Sequence, residues 1–202
     1  MQKLIYIIRH GQTENNRRRI IQGQGVDSSL NEAGQKEAQL FYEKYREEPF
    51  DLVITSSLKR THETVAAFID MGLSWVQFQE LNEIAWGRHE GQESTPEMIA
   101  EYKRVAAAWQ SGQYDERIAD GESANELAER LERFVAHLRE RSEQRILVCS
   151  HGRAMRCLMC LLNGDPISAM DTYHHDNTGL YLLQQHGTSF SFLKKNDLSH
   201  LD

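Results

Sequence analysis

Near its N-terminus the chain runs Leu4-Ile5-Tyr6-Ile7-Ile8 and then turns polar at Arg9-His10-Gly11. Five apolar residues without alternation fit a strand covered on both faces, as in a parallel sheet packed between helices. The run is too short for the apolar part of a secretory signal, and basic residues follow it at once. Leu52-Val53-Ile54 and Ile146-Leu147-Val148-Cys149 repeat the pattern, and helical stretches separate the three. A helix is predicted from 31 to about 47, and another through Val65, Phe68 and Ile69. Met98, Tyr102, Val105 and Trp109 recur at helical spacing, as do Leu127, Leu131, Phe134, Val135 and Leu138. Ser123 ahead of Glu126 fits a capping box. A further helix from 153 to 162 is stopped by Asn163-Gly164-Asp165-Pro166. Segments 179–183 and 188–193, around Gly187, predict a closing antiparallel hairpin. The expectation is one domain over residues 1–202, of α/β class. It has three layers, α/β/α, with a mostly parallel central sheet and a helical insertion.

The composition narrows the function classes. Of 202 residues, 40% are hydrophobic and 26% charged, with 13 Gly and 3 Pro, which leaves no room for a disordered or fibrous chain. Lys and Arg number 23 against 30 Asp and Glu, a net charge of −7. That balance disfavours nucleic acid and anionic membranes as partners, because both call for a basic face. No apolar run reaches membrane-spanning length. Three cysteines, Cys149, Cys157 and Cys160, lie among apolar residues and make no closed disulfide set, so a cytoplasmic setting is expected. Cys157-x-x-Cys160 has no second pair, and core packing is the reading preferred over zinc or redox chemistry.

In open α/β sheets a ligand sits beyond the carboxyl ends of the strands. The first apolar run ends in Arg9-His10-Gly11, the second in Thr55-Ser56-Ser57 with Lys59-Arg60 after it, and the third in Ser150-His151-Gly152. Two histidines and two arginines are thus expected on one rim. Glycine after each histidine permits a tight turn. A helix starting after His151-Gly152 would aim free N–H groups at the same place. Arginine suits bidentate phosphate contact, and these rims carry no carboxylate cluster for a hard metal. The expected ligand is a small anion.

Arg9-His10-Gly11-Gln12-Thr13 resembles the R-H-G-[EQ]-[TS] signature of the histidine phosphatase superfamily, which includes the cofactor-dependent phosphoglycerate mutases. Asn16 falls where that family carries a phosphate-contacting Asn, and Gln22-Gly23 resembles its following polar residue and glycine. Ser56-Ser57-Leu58-Lys59-Arg60-Thr61 is similar to the S-S-x-x-R-[AT] element. Leu81-Asn82-Glu83 with Gly87, Glu90 and Gly91 resembles the stretch that holds the family's proton donor. Gly121-Glu122-Ser123 and Ser150-His151-Gly152 match a helix-opening motif and the second histidine motif. The elements come in the family's order from residue 5 to residue 201. The resemblance implies a phosphoglycerate mutase-like fold, catalytic His10, Glu83, Arg9, Arg60 and His151, and substrate contacts from Arg9, Asn16, Gln22, Gly23, Arg60, Glu83, His151 and Gly152.

Residue chemistry fits those roles. Neutral His10 can attack phosphorus without a base and give a labile phosphohistidine. Arg9, Arg60 and a protonated His151 would hold the phosphoryl oxygens, with amide donors from Asn16 and Gln22. Glu83 would protonate the leaving alkoxide, its pKa raised by partial burial, and then activate water. Only the family motif separates it from Glu90, which reads as a solvated loop glutamate. The scheme calls for no metal and no cofactor.

The expected activity is hydrolysis of a small phosphomonoester. The chain is shorter than typical mutases of the family, and Arg88, Lys103 and Arg104 do not reproduce their dense basic set. Asn196-Asp197-Leu198-Ser199-His200-Leu201 resembles the D-x-S-H-[LI] tail common among the family's small phosphatases, and the overall resemblance is nearest to its small broad-specificity phosphatases. The alternatives are a mutase, a family phosphatase specific for α-ribazole phosphate, phosphoserine or a sugar phosphate, a non-catalytic module, and a metallohydrolase built on His10, His151 and Glu83. A cysteine phosphatase centred on Cys149 would need an arginine where Met155 stands. Arg17-Arg18-Arg19 reads as a solvated run, although one of them, or Arg153, could reach a charged substrate. His174-His175 reads as an exposed loop pair.

Overall fold

The computed structural model describes residues 3–202. Six strands form one mixed sheet: β1 (Lys3–Arg9), β2 (Leu52–Thr55), β3 (Trp75–Gln77), β4 (Arg145–Ser150), β5 (Leu180–His186) and β6 (Ser189–Asp197), in the order β3-β2-β4-β1-β5-β6. β3, β2, β4 and β1 run parallel, and β5 and β6 close the sheet as the expected antiparallel hairpin. The helices are α1 (Glu14–Arg17), α2 (Glu32–Tyr45), α3 (Lys59–Asp70), α4 (Pro96–Gln110), α5 (Ala124–Glu140) and α6 (Gly152–Asn163).

The unalternating strands are buried on both sides. Ile5 and Ile7 of β1 join Ile54, Ile146 and Val148 under α5 and α6, where Leu127, Leu131, Phe134 and Leu158 pack. Tyr6 and Ile8 point the other way with Val53 and Leu147, against Phe41 of α2 and Phe68 of α3. The three-layer expectation therefore holds. Phe41 and Phe68 are almost fully buried and meet edge to face, 6.1 Å between centroids. Burial of each is worth roughly 1.5–3 kcal/mol.

Local signals set the helix ends. Asn31 caps α2 by accepting from Gly34 N–H at 2.9 Å. Ser123 and Glu126 form the predicted reciprocal box at α5. Gly164 ends α6 at φ 75°, a left-handed position that suits glycine. The insertion consists of 3-10 turns at Gln79–Leu81 and Gly87–His89 followed by α4, whose Val105 and Trp109 join the α5–α6 core. β3 and α1 carry no sequence pattern that predicts them. β3 is a three-residue edge strand, and α1 is a single turn stabilised by Thr13 and Asn16. Among the described residues no helix is long and apolar enough to cross a membrane.

Sheet order positions the site. β1 and β4 are parallel neighbours with Arg9 opposite Ser150, so the next residues, His10 and His151, leave the sheet side by side. β2 lies on the other side of β4 and delivers Ser56 and α3 to the same edge.

Candidate active site

His10 is buried, with its ring centroid 5.2 Å from that of His151. Its Nδ1 lies 2.7 Å from Gly11 O. A carbonyl only accepts, so Nδ1 carries the proton and Nε2 the lone pair. Burial, then the Arg60 and Arg9 charges, hold the imidazole well below its ordinary pKa, and it is neutral at pH 7. The turn beneath is tied from three sides. Gly11 N–H donates to Thr64 Oγ1 at 3.0 Å, Asn177 Nδ2 to His10 O at 2.8 Å, and Thr178 N–H to Arg9 O at 3.1 Å. A Cβ on Gly11 would stand 2.7 Å from Gly34 O, so α2 can approach this turn only because position 11 is glycine.

His151 caps α6 and is fully buried. Arg60 Nε–H donates to its Nδ1 at 3.1 Å, and Ser56 Oγ lies 2.7 Å from its Nε2. Nδ1 therefore accepts, and Nε2–H donates to the serine. The expected protonated His151 is corrected by this geometry: its ring is neutral, and burial with the Arg60 charge keeps its pKa well below the ordinary value. Arg60 is itself fully buried and also donates to Val26 O at 2.6 Å and Gly23 O at 3.3 Å. It ties the loop after α1 to the second histidine.

Glu83, 7% exposed, faces the start of α6. Its Oε1 accepts from Ile84 and Ala154 N–H, both at 2.9 Å, and its Oε2 from Arg153 N–H at 3.0 Å. These three backbone donors fix where the carboxyl group points. Behind it, Arg130 donates to Asn82 O at 2.8 Å and Glu83 O at 3.2 Å, and it pairs with Glu122 at 2.6 Å. Glu122, from the Gly121-Glu122-Ser123 motif, also accepts from Ala85 N–H at 3.3 Å. A buried ion pair thus fixes the backbone that carries Glu83.

The rim combines a neutral histidine after the first strand, a second histidine beside it, the buried Arg60, the partly buried Arg9 and a carboxylate at a helix start. A family model described as "Histidine phosphatase superfamily (branch 1)" matches residues 5–198. The chain belongs to the histidine phosphatase superfamily. A superfamily relative from Hydrogenobacter thermophilus, named "Putative phosphoserine phosphatase 2", is 28% identical over 98% of this chain and 97% of its own. A Yersinia pestis protein named "Probable phosphoglycerate mutase GpmB" is 34% identical over 82% of this chain and 77% of its own. The crystal structure of the α-ribazole phosphatase from Shigella flexneri covers 96% of both chains at 26% identity, with a TM-score of 0.84.

In this superfamily member the remaining predicted residues divide. Arg9 makes no side-chain hydrogen bond or ion pair among the described residues, and its Nε is buried without a partner. Asn16 and Gln22 lie beside the rim but are tied into the fold. Asn16 Oδ1 accepts from Thr13 N–H at 3.1 Å, and Gln22 Nε2 donates to Thr13 Oγ1 at 2.8 Å. Gly23 is pressed against Glu90, whose Oε1 would stand 1.8 Å from a Cβ there. Glu90 is structural rather than solvated: it accepts from Trp86 and Gly25 N–H, both at 2.8 Å, and joins two loops. Gly152 lies between Glu83 and His175.

Several features of this superfamily member escape its motifs. His174 is exposed, but His175 turns inward, which corrects the reading of an exposed pair. A His-His step carries no periodic or motif signal that separates its two members. Arg153 is buried, pairs with Asp171 at 2.8 Å, and lies over the rings of Tyr102 and Trp109. Arg17 and Arg18 are exposed and paired with Glu14 and Glu93, as a solvated run should be. Cys149 is fully buried and burial raises its pKa, so it offers no nucleophile. Cys157 and Cys160 are core residues. A cleft of about 260 Å³ opens under α4, lined by Ile21, Gln22, Trp86, Met98, Tyr102 and Ile118 among others. No Lys, Arg, Asp or Glu lines it. Gln22 borders both this cleft and the Thr13 turn, and Tyr102 reaches Glu83 through Arg153.

Proposed function

We propose that this chain is a metal-independent phosphomonoesterase for small phosphorylated metabolites, working through a phosphohistidine on His10 with Glu83 as proton donor. The observation that carries the reading is the single neutral tautomer of buried His10, its Nε2 lone pair free and Arg9 unpaired beside it. A phosphoryl group held by Arg9 and Arg60 receives the Nε2 lone pair as its ester P–O bond breaks. Glu83 gives its proton to the departing oxygen. Water then attacks phosphorus, the N–P bond breaks, and the water proton returns to Glu83.

Two observations favour water over a second phosphate acceptor. Arg88 and Arg104 of the insertion are held by Glu101 and Glu116, at 2.7 and 2.6 Å, rather than aimed at a substrate carboxylate. The cleft under α4 is apolar, which suits an uncharged alcohol better than phosphoglycerate. A metallohydrolase reading loses support because both ring nitrogens of His151 and both carboxylate oxygens of Glu83 already have protein partners.

The test is a panel assayed side by side with a chelator present: p-nitrophenyl phosphate, a medium-chain alkyl phosphate, phosphoserine and 3-phosphoglycerate. Hydrolysis of the first two should exceed that of the charged substrates by about tenfold or more in kcat/KM. Interconversion of 3- and 2-phosphoglycerate without hydrolysis overturns the phosphatase reading, and activity lost to chelation and restored by zinc overturns its metal independence.

A further inference from the structure

His175 has no part in the scheme above, yet it faces the same point as Glu83. A Cβ placed on Gly152 would lie 2.8 Å from His175 Cε1, 3.3 Å from its Nε2 and 3.5 Å from Glu83 Oε2. One spot at the start of α6 is therefore in contact distance of both side chains. The other ring nitrogen, Nδ1, is buried without a hydrogen-bond partner. An orphaned N–H costs more in dry surroundings than an orphaned lone pair, so the proton sits on Nε2, the nitrogen facing Gly152 and the Glu83 side. The groups acting on the ring are Arg9 from β1, Arg153 and Arg156 from α6, and His174 from its own loop. With burial as the largest cause, they push its pKa down to about 2. The imidazole is neutral throughout the working range, a donor that does not titrate.

We infer that His175 is a further catalytic residue, whose Nε2–H donates to the ester oxygen that Glu83 protonates. In the first step His10 Nε2 bonds to phosphorus, the P–O bond breaks, and the Glu83 proton moves to the departing oxygen. His175 keeps its proton and shares it in a hydrogen bond that strengthens as charge builds on that oxygen. In the second step the attacking water takes the same place, and its proton goes to Glu83. This assignment rests on the proposed role of Glu83. It also gives a consequence that packing alone does not: the contribution of His175 grows with the basicity of the leaving group.

The experiment compares wild type, His175→Phe, His175→Gln and Glu83→Gln on p-nitrophenyl phosphate and an alkyl phosphate, reading kcat/KM, its pH profile and the melting temperature. His175→Phe keeps the ring volume without a donor, and His175→Gln restores an N–H near the Nε2 position. Expected for His175→Phe is a loss of about tenfold or more on the alkyl ester and at most about threefold on the aryl ester. The pH limbs should stay in place, and His175→Gln should recover most of the loss. Equal losses on both esters, a moved pH limb, or no recovery in a folded His175→Gln overturns the inference. Should His175→Phe melt far below wild type, His175→Gln against His175→Ala carries the same comparison. Leaving-group selectivity in Glu83→Gln but not in the His175 variants defeats the inference alone. Selectivity in neither defeats the Glu83 reading, and this inference falls with it.

Discussion

The reactivity proposed for His10 rests on one backbone carbonyl. Gly11 O fixes the proton on Nδ1, and burial of the ring, then the Arg60 and Arg9 charges, keep a second proton off. Two outcomes follow at this scale. A labelled phosphomonoester should leave an acid-labile phosphoenzyme in wild type and none in His10→Ala, whose turnover should drop by about three orders of magnitude or more. A phosphoenzyme persisting in His10→Ala would remove His10 as nucleophile. Because the His10 pKa is lowered, its neutral form persists as pH falls from 7 towards 5. With substrate ionisation corrected for, kcat/KM should show no acid limb near the ordinary histidine value of about 6.5; a limb there would contradict the buried neutral tautomer. Residue types at the strand ends made His10, Arg9, Arg60 and His151 legible in the sequence. Protonation states were not, because they depend on which atoms face each ring: Arg60 Nε on His151, Gly11 O on His10.

Among elements, the span between β3 and α5 carries Glu83, and Arg130 of α5 holds it in place. Arg130 and Glu122 are nearly buried and together bind the backbone of residues 80 to 85. Arg130→Met should cost roughly 3–5 kcal/mol, since it leaves Glu122 charged and buried and several carbonyls unpaired. Thermal or urea unfolding reads that loss directly, and a change below about 1 kcal/mol would show the pair to be dispensable. The C-terminal tail has a comparable task. His200 bonds Thr178 Oγ1 at 2.9 Å and packs edge-on to Phe41, while Thr178 N–H holds Arg9 O. The family-like tail is thus a brace behind the first strand. The helices other than α1 and the aliphatic strands could be read from periodicity and caps. Arg130 could not, since one arginine on an amphipathic helix carries no sign of the carbonyls it will meet.

At the scale of the whole molecule, four histidines are held neutral: His10 and His151 far below the ordinary value, His175 near 2 and His200 near 4. The unfolded chain binds protons at these positions below about pH 6.5 and the folded chain does not, so stability falls as pH drops from 7 to 5. Each group contributes up to about 1.4 kcal/mol per pH unit in that window. Glu37, with its pKa raised by burial, opposes the trend as a single group. Urea midpoints should therefore decline steadily between pH 7 and 5, and a flat profile would contradict four buried neutral rings. The net charge of −7 gives little long-range attraction for anions, so capture depends on the local clamp. Arg60→Ala should lower kcat/KM by about 100-fold, while raising salt from 0.1 to 0.3 M should change it by less than about threefold. Apolar runs and the polar residues that end them were enough to predict an α/β sheet with histidines and arginines at its strand ends, because burial and strand-end placement are imposed by side-chain chemistry along the chain. Tertiary structure alone decided that β1 and β4 are neighbours, which brings His10 beside His151. It also decided that His175 turns inward while His174 does not, and that the cleft under α4 is apolar. Those outcomes rest on contacts between segments far apart in the chain, and no local pattern records them.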